Sequence, residues 1–129
     1  MGSSEALTRG IRVKVSSRYV AERSRPLMNE YFFAYSIQIS NEGRETVQLV
    51  SREWLITDAE GRVEEVRGPG VVGEQPVLGP GDAFEYTSAC PLSTPFGSMT
   101  GTYQMVTDKG ERFDAQIAAF QLAEPYAIN

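Results

Sequence analysis

The stretch Gly68-Pro69-Gly70-Val71-Val72-Gly73 is a literal G-x-G-x-x-G. In a dinucleotide-binding unit that spacing brings backbone N–H groups against a pyrophosphate at the start of a helix. The chemistry needs a strand, a tight turn and then a helix. A strand over Arg62–Arg67 is expected, but Glu74-Gln75-Pro76 follows the glycines. Pro76 restricts Gln75 to extended geometry and no apolar helical stripe comes after it, so the dinucleotide unit is excluded. A glycine-rich loop can still cup an anion through consecutive N–H groups without a helix. On that reading Gly68, Gly70 and Gly73 supply backbone donors, and Arg67 supplies charge through its fixed fork. Pro69 has no N–H, and Glu64, Glu65 and Glu74 outnumber Arg62 and Arg67, so a phosphate there calls for a bridging divalent cation. The competing expectation is a long connection between sheets that uses glycines for positive φ.

Other reactive side chains are few. There is no histidine, which excludes Ser-His-Asp and Cys-His catalysis, His-metal sites and imidazole acid–base chemistry. Cys90 is the single cysteine, so an intrachain disulfide and a CxxC zinc site are excluded, which fits a reducing compartment. It alternates in phase with Phe84, Tyr86 and Ser88 and is expected to pack as a small apolar residue. Glu64 and Glu65 are neighbours and on a strand face opposite sides. Asp58 with Glu60, and Asp108 with Glu111, flank turns whose chemistry explains the Asp residues. A hard-cation site made from these loop carboxylates lacks any EF-hand spacing. Ser88, Ser93 and Thr94 offer hydroxyls with no base placed beside them. No catalytic residue, metal ligand set or cofactor is assigned.

The elements that must hold these groups are strands. Ile11, Val13 and Val15 alternate with Arg12, Lys14 and Ser16, predicting a half-buried strand whose basic outer face guards a sheet edge. Phe33, Tyr35, Ile37 and Ile39 form a second apolar face. A third strand opens with Val47 and Leu49 inward and closes with Trp54 and Ile56 inward. That change of parity needs an extra residue, predicting a β-bulge or crossover between Val50 and Glu53. Met99, Tyr103 and Met105 share a face further on. The turns Asn41-Glu42-Gly43-Arg44, Asp58-Ala59-Glu60-Gly61 and Asp108-Lys109-Gly110-Glu111 each start on Asn or Asp, with a glycine expected at positive φ. No segment sustains a 3.6-residue period. The pattern predicts one all-β domain, an antiparallel two-sheet sandwich of seven or eight strands, with a closed small barrel as the alternative. Residues 1–9 are expected as a disordered lead-in and 10–125 as the domain. The alternation fades after residue 120, and 126–129 are expected as a tail.

The 129 residues suit a single core that needs no disulfide or metal. Residues 1–25 carry six basic side chains against two acidic, and the rest six against 15, for a net charge of −5. A pI near 4.8 argues against nucleic-acid binding. No apolar run is long enough for a membrane span, and the first residues lack a signal-peptide core, so the cytoplasm is the expected location.

The run Gly70-Val71-Val72-Gly73-Glu74-Gln75-Pro76 resembles the ApaG family. So do Phe33-Ala34-Tyr35, Val47-Gln48-Leu49, Trp54-Leu55-Ile56-Thr57-Asp58, Phe84-Glu85-Tyr86-Thr87-Ser88 and the blocks Thr94–Met99 and Gly101–Met105. The resemblance covers about residues 9–125. It implies a fibronectin type III-like or immunoglobulin-like sandwich, and a small bacterial cytosolic protein associated with cobalt resistance and magnesium efflux. It also implies an interaction module, with nucleotide binding at the glycine-rich loop linked to some members and no established catalytic residues. Glu53 stands where many relatives carry His, so a metal role for that position does not transfer. The expected function is a non-enzymatic binding module for an unidentified protein partner, as a monomer or weak dimer. The alternative is a nucleotide or pyrophosphate binder using Mg²⁺, with weak nucleotide hydrolysis as its enzymatic extreme.

Overall fold

The computed structural model describes residues 2–125. Nine strands follow in chain order: β1 (Ser3–Thr8), β2 (Ile11–Tyr19), β3 (Tyr31–Asn41), β4 (Val47–Asp58), β5 (Val63–Pro69), β6 (Val77–Leu78), β7 (Ala83–Leu92), β8 (Phe96–Thr107) and β9 (Arg112–Ala123). Two single-turn 3₁₀ segments, Ala21–Arg23 and Pro26–Met28, interrupt the β2–β3 connection. The strands make two antiparallel sheets, one ordered β1-β2-β3-β7 and the other β5-β4-β8-β9. Two-residue β6 continues along the β5 side of β4 through Val47↔Leu78 and Gln48↔Val77.

The alternation places the core. Phe33, Ile37 and Ile39 of β3 meet Leu49, Tyr103 and Ile117 of the facing sheet, all essentially inaccessible to water. Each such side chain contributes roughly 1.5–3 kcal/mol by burial. Trp54 packs edge-on against Tyr35 at 5.5 Å, Phe120 at 6.0 Å and Tyr103 at 6.4 Å. These T-shaped contacts suit the ring quadrupoles and fix the spacing of the sheets. Two hairpins close at Gly61 (φ +83°) and Gly110 (φ +82°). Gly43 departs from its expectation. Its φ is not positive, because the Asn41 side chain stabilises this crossover through Gly43 N–H (2.9 Å), Glu45 O (2.7 Å) and Leu78 O (2.9 Å).

Two expectations about boundaries and one about a sheet edge need correction. Residues 2–9, expected within a disordered lead-in, are ordered. Ser3–Thr8 forms β1, paired with β2 from Ser3↔Ser16 to Thr8↔Ile11 through a turn at Arg9-Gly10, where both residues have positive φ. β1 therefore removes β2 from the edge, and Arg12 of the basic face is neutralised by Glu5 of β1 and by Glu42. β9, expected as a strand over Arg112–Ile117, runs on to Ala123, because a second parity slip moves the buried set from Ala115 and Ile117 to Phe120 and Leu122. The tail expected at 126–129 lies outside the described residues.

Candidate functional site

The predicted irregularity in β4 is a bulge at Val50. Against β8 the register passes from Leu49↔Met105 to Ser51↔Gln104, leaving Val50 without a partner. The bulge has two consequences. It frees the Val50 carbonyl, which accepts Gly70 N–H (2.8 Å) and Gln75 Nε2–H (2.9 Å). It also turns Arg52, in step with Trp54 and Ile56, toward the inside of the sandwich.

The glycine-rich loop is built on that carbonyl. Val71 N–H donates to Glu74 O (2.8 Å) and Glu74 N–H donates back to Val71 O (2.9 Å), closing a two-residue turn over Val72-Gly73. Both turn residues have positive φ, +43° at Val72 and +81° at Gly73, which is the type I′ geometry. Val71 is 1% exposed and plugs the core beneath. Val72 at the tip is 54% exposed. A β-branched residue in this region is strained, since its Cβ crowds the following carbonyl. Leu49 N–H to Pro76 O (3.0 Å) secures the far end.

The four residues proposed to hold an anion are dispersed. The N–H groups of Gly70, Val71 and Glu74 are occupied by the bonds just described. Arg67 turns to the outer face of its sheet, where it pairs with Glu53 (3.1 Å) and with Glu65. Gly68 faces inward, and a Cβ there would lie 2.9–3.1 Å from the Arg52 guanidinium. Its lack of a side chain therefore gives room to that arginine. Gly73 has nothing within 4 Å of its Cβ position, so its requirement is conformational.

Arg52 and the surroundings of Cys90 are what sequence reasoning missed. The edges β5 and β7 do not pair, and a cleft of about 290 Å³ opens between them, lined by Tyr35, Arg52, Glu64, Val66, Ser88 and Cys90 among others. Arg52 Nη1 donates to Pro69 O and Gly70 O, both at 3.0 Å. Cys90 is buried; desolvation, then the Glu64 carboxylate, push its thiol up to about 11, which makes it a poor nucleophile. Burial likewise raises the Tyr35 phenol, and raises Tyr86 and Tyr103, which bond hydroxyl to hydroxyl. Thr94 is a turn staple, accepting Ala59 N–H (3.1 Å) and donating to Phe96 O (2.8 Å). Among the described residues no three His, Cys, Asp or Glu side chains converge as a metal site, and no helix is long and apolar enough to cross a membrane.

The model of the ApaG domain matches residues 21–107. The chain is 58% identical over 120 residues to Protein ApaG of Rhodospirillum centenum, covering 93% of this chain and 92% of that one. It is 57% identical over 122 residues to Protein ApaG of a Methylobacterium species, covering 95% and 94%. A crystal structure from Bordetella pertussis, described as an ApaA protein, superposes with a TM-score of 0.87 at 53% identity, covering 90% of this chain and 94% of that one. The C-terminal domain of wzt superposes at 0.56 with 11% identity, covering 94% and 77%, a likeness of fold alone.

Proposed function

The chain belongs to the ApaG domain family, and from that premise we propose that it is a non-enzymatic protein-binding module that docks through the tip of the Gly68–Pro76 loop. One observation carries the reading: Val72 is held strained and exposed on a loop whose own hydrogen bonds fix it. Strain of this kind costs about 1–3 kcal/mol and persists only where the surroundings enforce it, which concentrates it at functional positions. A rigid apolar tip also binds without the entropy loss of ordering a loop. Val77, 60% exposed, extends the apolar surface where the loop enters β6.

The family resemblance directs the search for a partner to components of divalent cation transport. The test is capture of such components by the wild-type chain and by Val72→Asn, followed by calorimetry on whatever is retained. Retention by the wild type and loss with Val72→Asn supports the proposal. Equal retention by both, or turnover of a small substrate by the purified chain, overturns it. Titration with Mg²⁺ and ATP is the competing arm. Shifts centred on the Gly68, Gly70 and Gly73 amides would move the assignment to a nucleotide site.

A further inference from the structure

A guanidinium on the inner face of a sandwich must find acceptors, because an unpaired buried cation is costly. Nη1 of Arg52 is satisfied by the Pro69 and Gly70 carbonyls. Its Nε and Nη2 bond to no acceptor among the described residues, and no described carboxylate lies within ion-pair distance. No buried side-chain donor there is left unpaired, so these spare N–H groups are open to solvent on a residue that lines the cleft between β5 and β7. Tyr35 and Ser88, directly opposite one another on β3 and β7, place two hydroxyls in the same lining. Glu64 is the carboxylate of this lining. It faces Ile56, four residues along β4 from Arg52 and roughly 13 Å away at strand spacing, so it does not neutralise the guanidinium. Between the two charges lies the pair Trp54 and Val66, with Met99 of β8 level with Glu64.

The cleft is thus cationic and donor-rich at one end, apolar in the middle and anionic at the far end. We infer that it binds a single carboxylate carried on an apolar stem, gripped by Arg52 beside Tyr35 and Ser88, with the stem against Trp54, Val66 and Met99. A guanidinium with free N–H groups matches a carboxylate in geometry and charge. The volume of about 290 Å³ suits one amino-acid-sized group. Glu64 disfavours a second anionic group at the far end, which separates this ligand from a polyphosphate. Gly68 belongs to this site, since any side chain there displaces the guanidinium. Such a carboxylate occurs both on small organic acids and at the C-terminus of a peptide ending in an apolar residue.

The experiment is NMR titration of the full chain with 3-phenylpropionate, with an acetylated tripeptide ending in leucine, and with the same tripeptide as its C-terminal amide. The expected result is saturable shifts at Ser88, Cys90 and the Arg52 side chain, with a Kd on the order of 1 mM or tighter for the acids. The amide is expected to bind at least about tenfold more weakly. Tighter binding of the peptide acid identifies a peptide terminus as the source, and tighter binding of phenylpropionate identifies a small acid. Arg52→Gln should weaken the acids at least about tenfold. Gly68→Ala should do the same while keeping the fold, because its new methyl group meets only the mobile end of a side chain. No saturation by about 10 mM, equal binding of acid and amide, or acid affinities unchanged in both variants overturns the inference.

Discussion

Val72→Asn is expected to stabilise the protein, against the usual effect of replacing an apolar residue by a polar one. Val72 has φ +43° at the first central position of a type I′ turn and is followed by Gly73 at φ +81°. A β-branched side chain there costs about 1–2 kcal/mol, whereas Asn tolerates the left-handed region and Asn-Gly is the preferred pair for this turn. The opposing term is lost burial. Val72 is 54% exposed, so slightly less than half of a valine's burial energy is at stake, about 0.7 kcal/mol. The strain outweighs it, leaving a gain of about 0.5–1 kcal/mol. For a chain of 129 residues that gain raises Tm by about 2–4 °C. Differential scanning calorimetry measures it, with Gly73→Ala as the opposite case. Gly73 has open space around its Cβ position, so its loss of about 1 kcal/mol is purely conformational. A fall in Tm for Val72→Asn matching that of Gly73→Ala would refute the strained turn, and with it the reason to regard the tip as a docking element.

Gly101→Ala would set a methyl carbon 2.1 Å from the Glu53 carbonyl, a backbone clash between β4 and β8, and should cost about 3 kcal/mol or more in chemical denaturation. Asn41→Ala removes three side-chain hydrogen bonds from a residue 2% exposed and should cost about 3 kcal/mol in the same assay; a loss below about 1 kcal/mol would show the crossover does not depend on them. Alkaline stability follows from Cys90, whose thiol rises from its ordinary 9.0 to about 11 on burial, joined by the raised phenols of Tyr86 and Tyr103. The unfolded chain gives up these protons first, so stability is intact below about pH 9 and falls as pH rises through about 11; denaturant midpoints that stay level to pH 11 would contradict this. Deleting residues 2–9 should lower Tm and produce concentration-dependent association in light scattering, because it bares the β2 edge.

Much of the framework is legible because burial writes a period of two wherever one face of a strand meets the core. The Leu49-to-Trp54 slip announces its bulge for that reason, and Ile117-to-Phe120 in β9 carries the same signature. β1 is illegible for the opposite reason. Ser3-Ser4-Glu5-Ala6-Leu7-Thr8 is half-buried at most, and its turn uses Arg9-Gly10 rather than Asn-Gly. Its hold comes from Ser4 Oγ to Ala118 O (2.7 Å) and from backbone pairing, neither of which leaves an apolar pattern. The glycine motif is visible, but the spacing cannot distinguish a cradle for phosphate from room for a guanidinium. Arg52 shares its parity with Trp54 and Ile56, so its inward direction is implicit in the same alternation. What hides it is the general rule that charged residues face water.

The contact of β1 with β9 joins residues more than a hundred positions apart, through Ser4 to Ala118 and Thr8 to Gln116. A ribosome releases one end of that seam long before the other. The β1–β2 hairpin can form as soon as it emerges, since its turn is two residues long. The sandwich can close only once β9 is free, so native closure is slow, in the millisecond-to-second range of non-local β topologies. Until then the early hairpin shields one flank of the nascent chain, while β8 waits for its last neighbour.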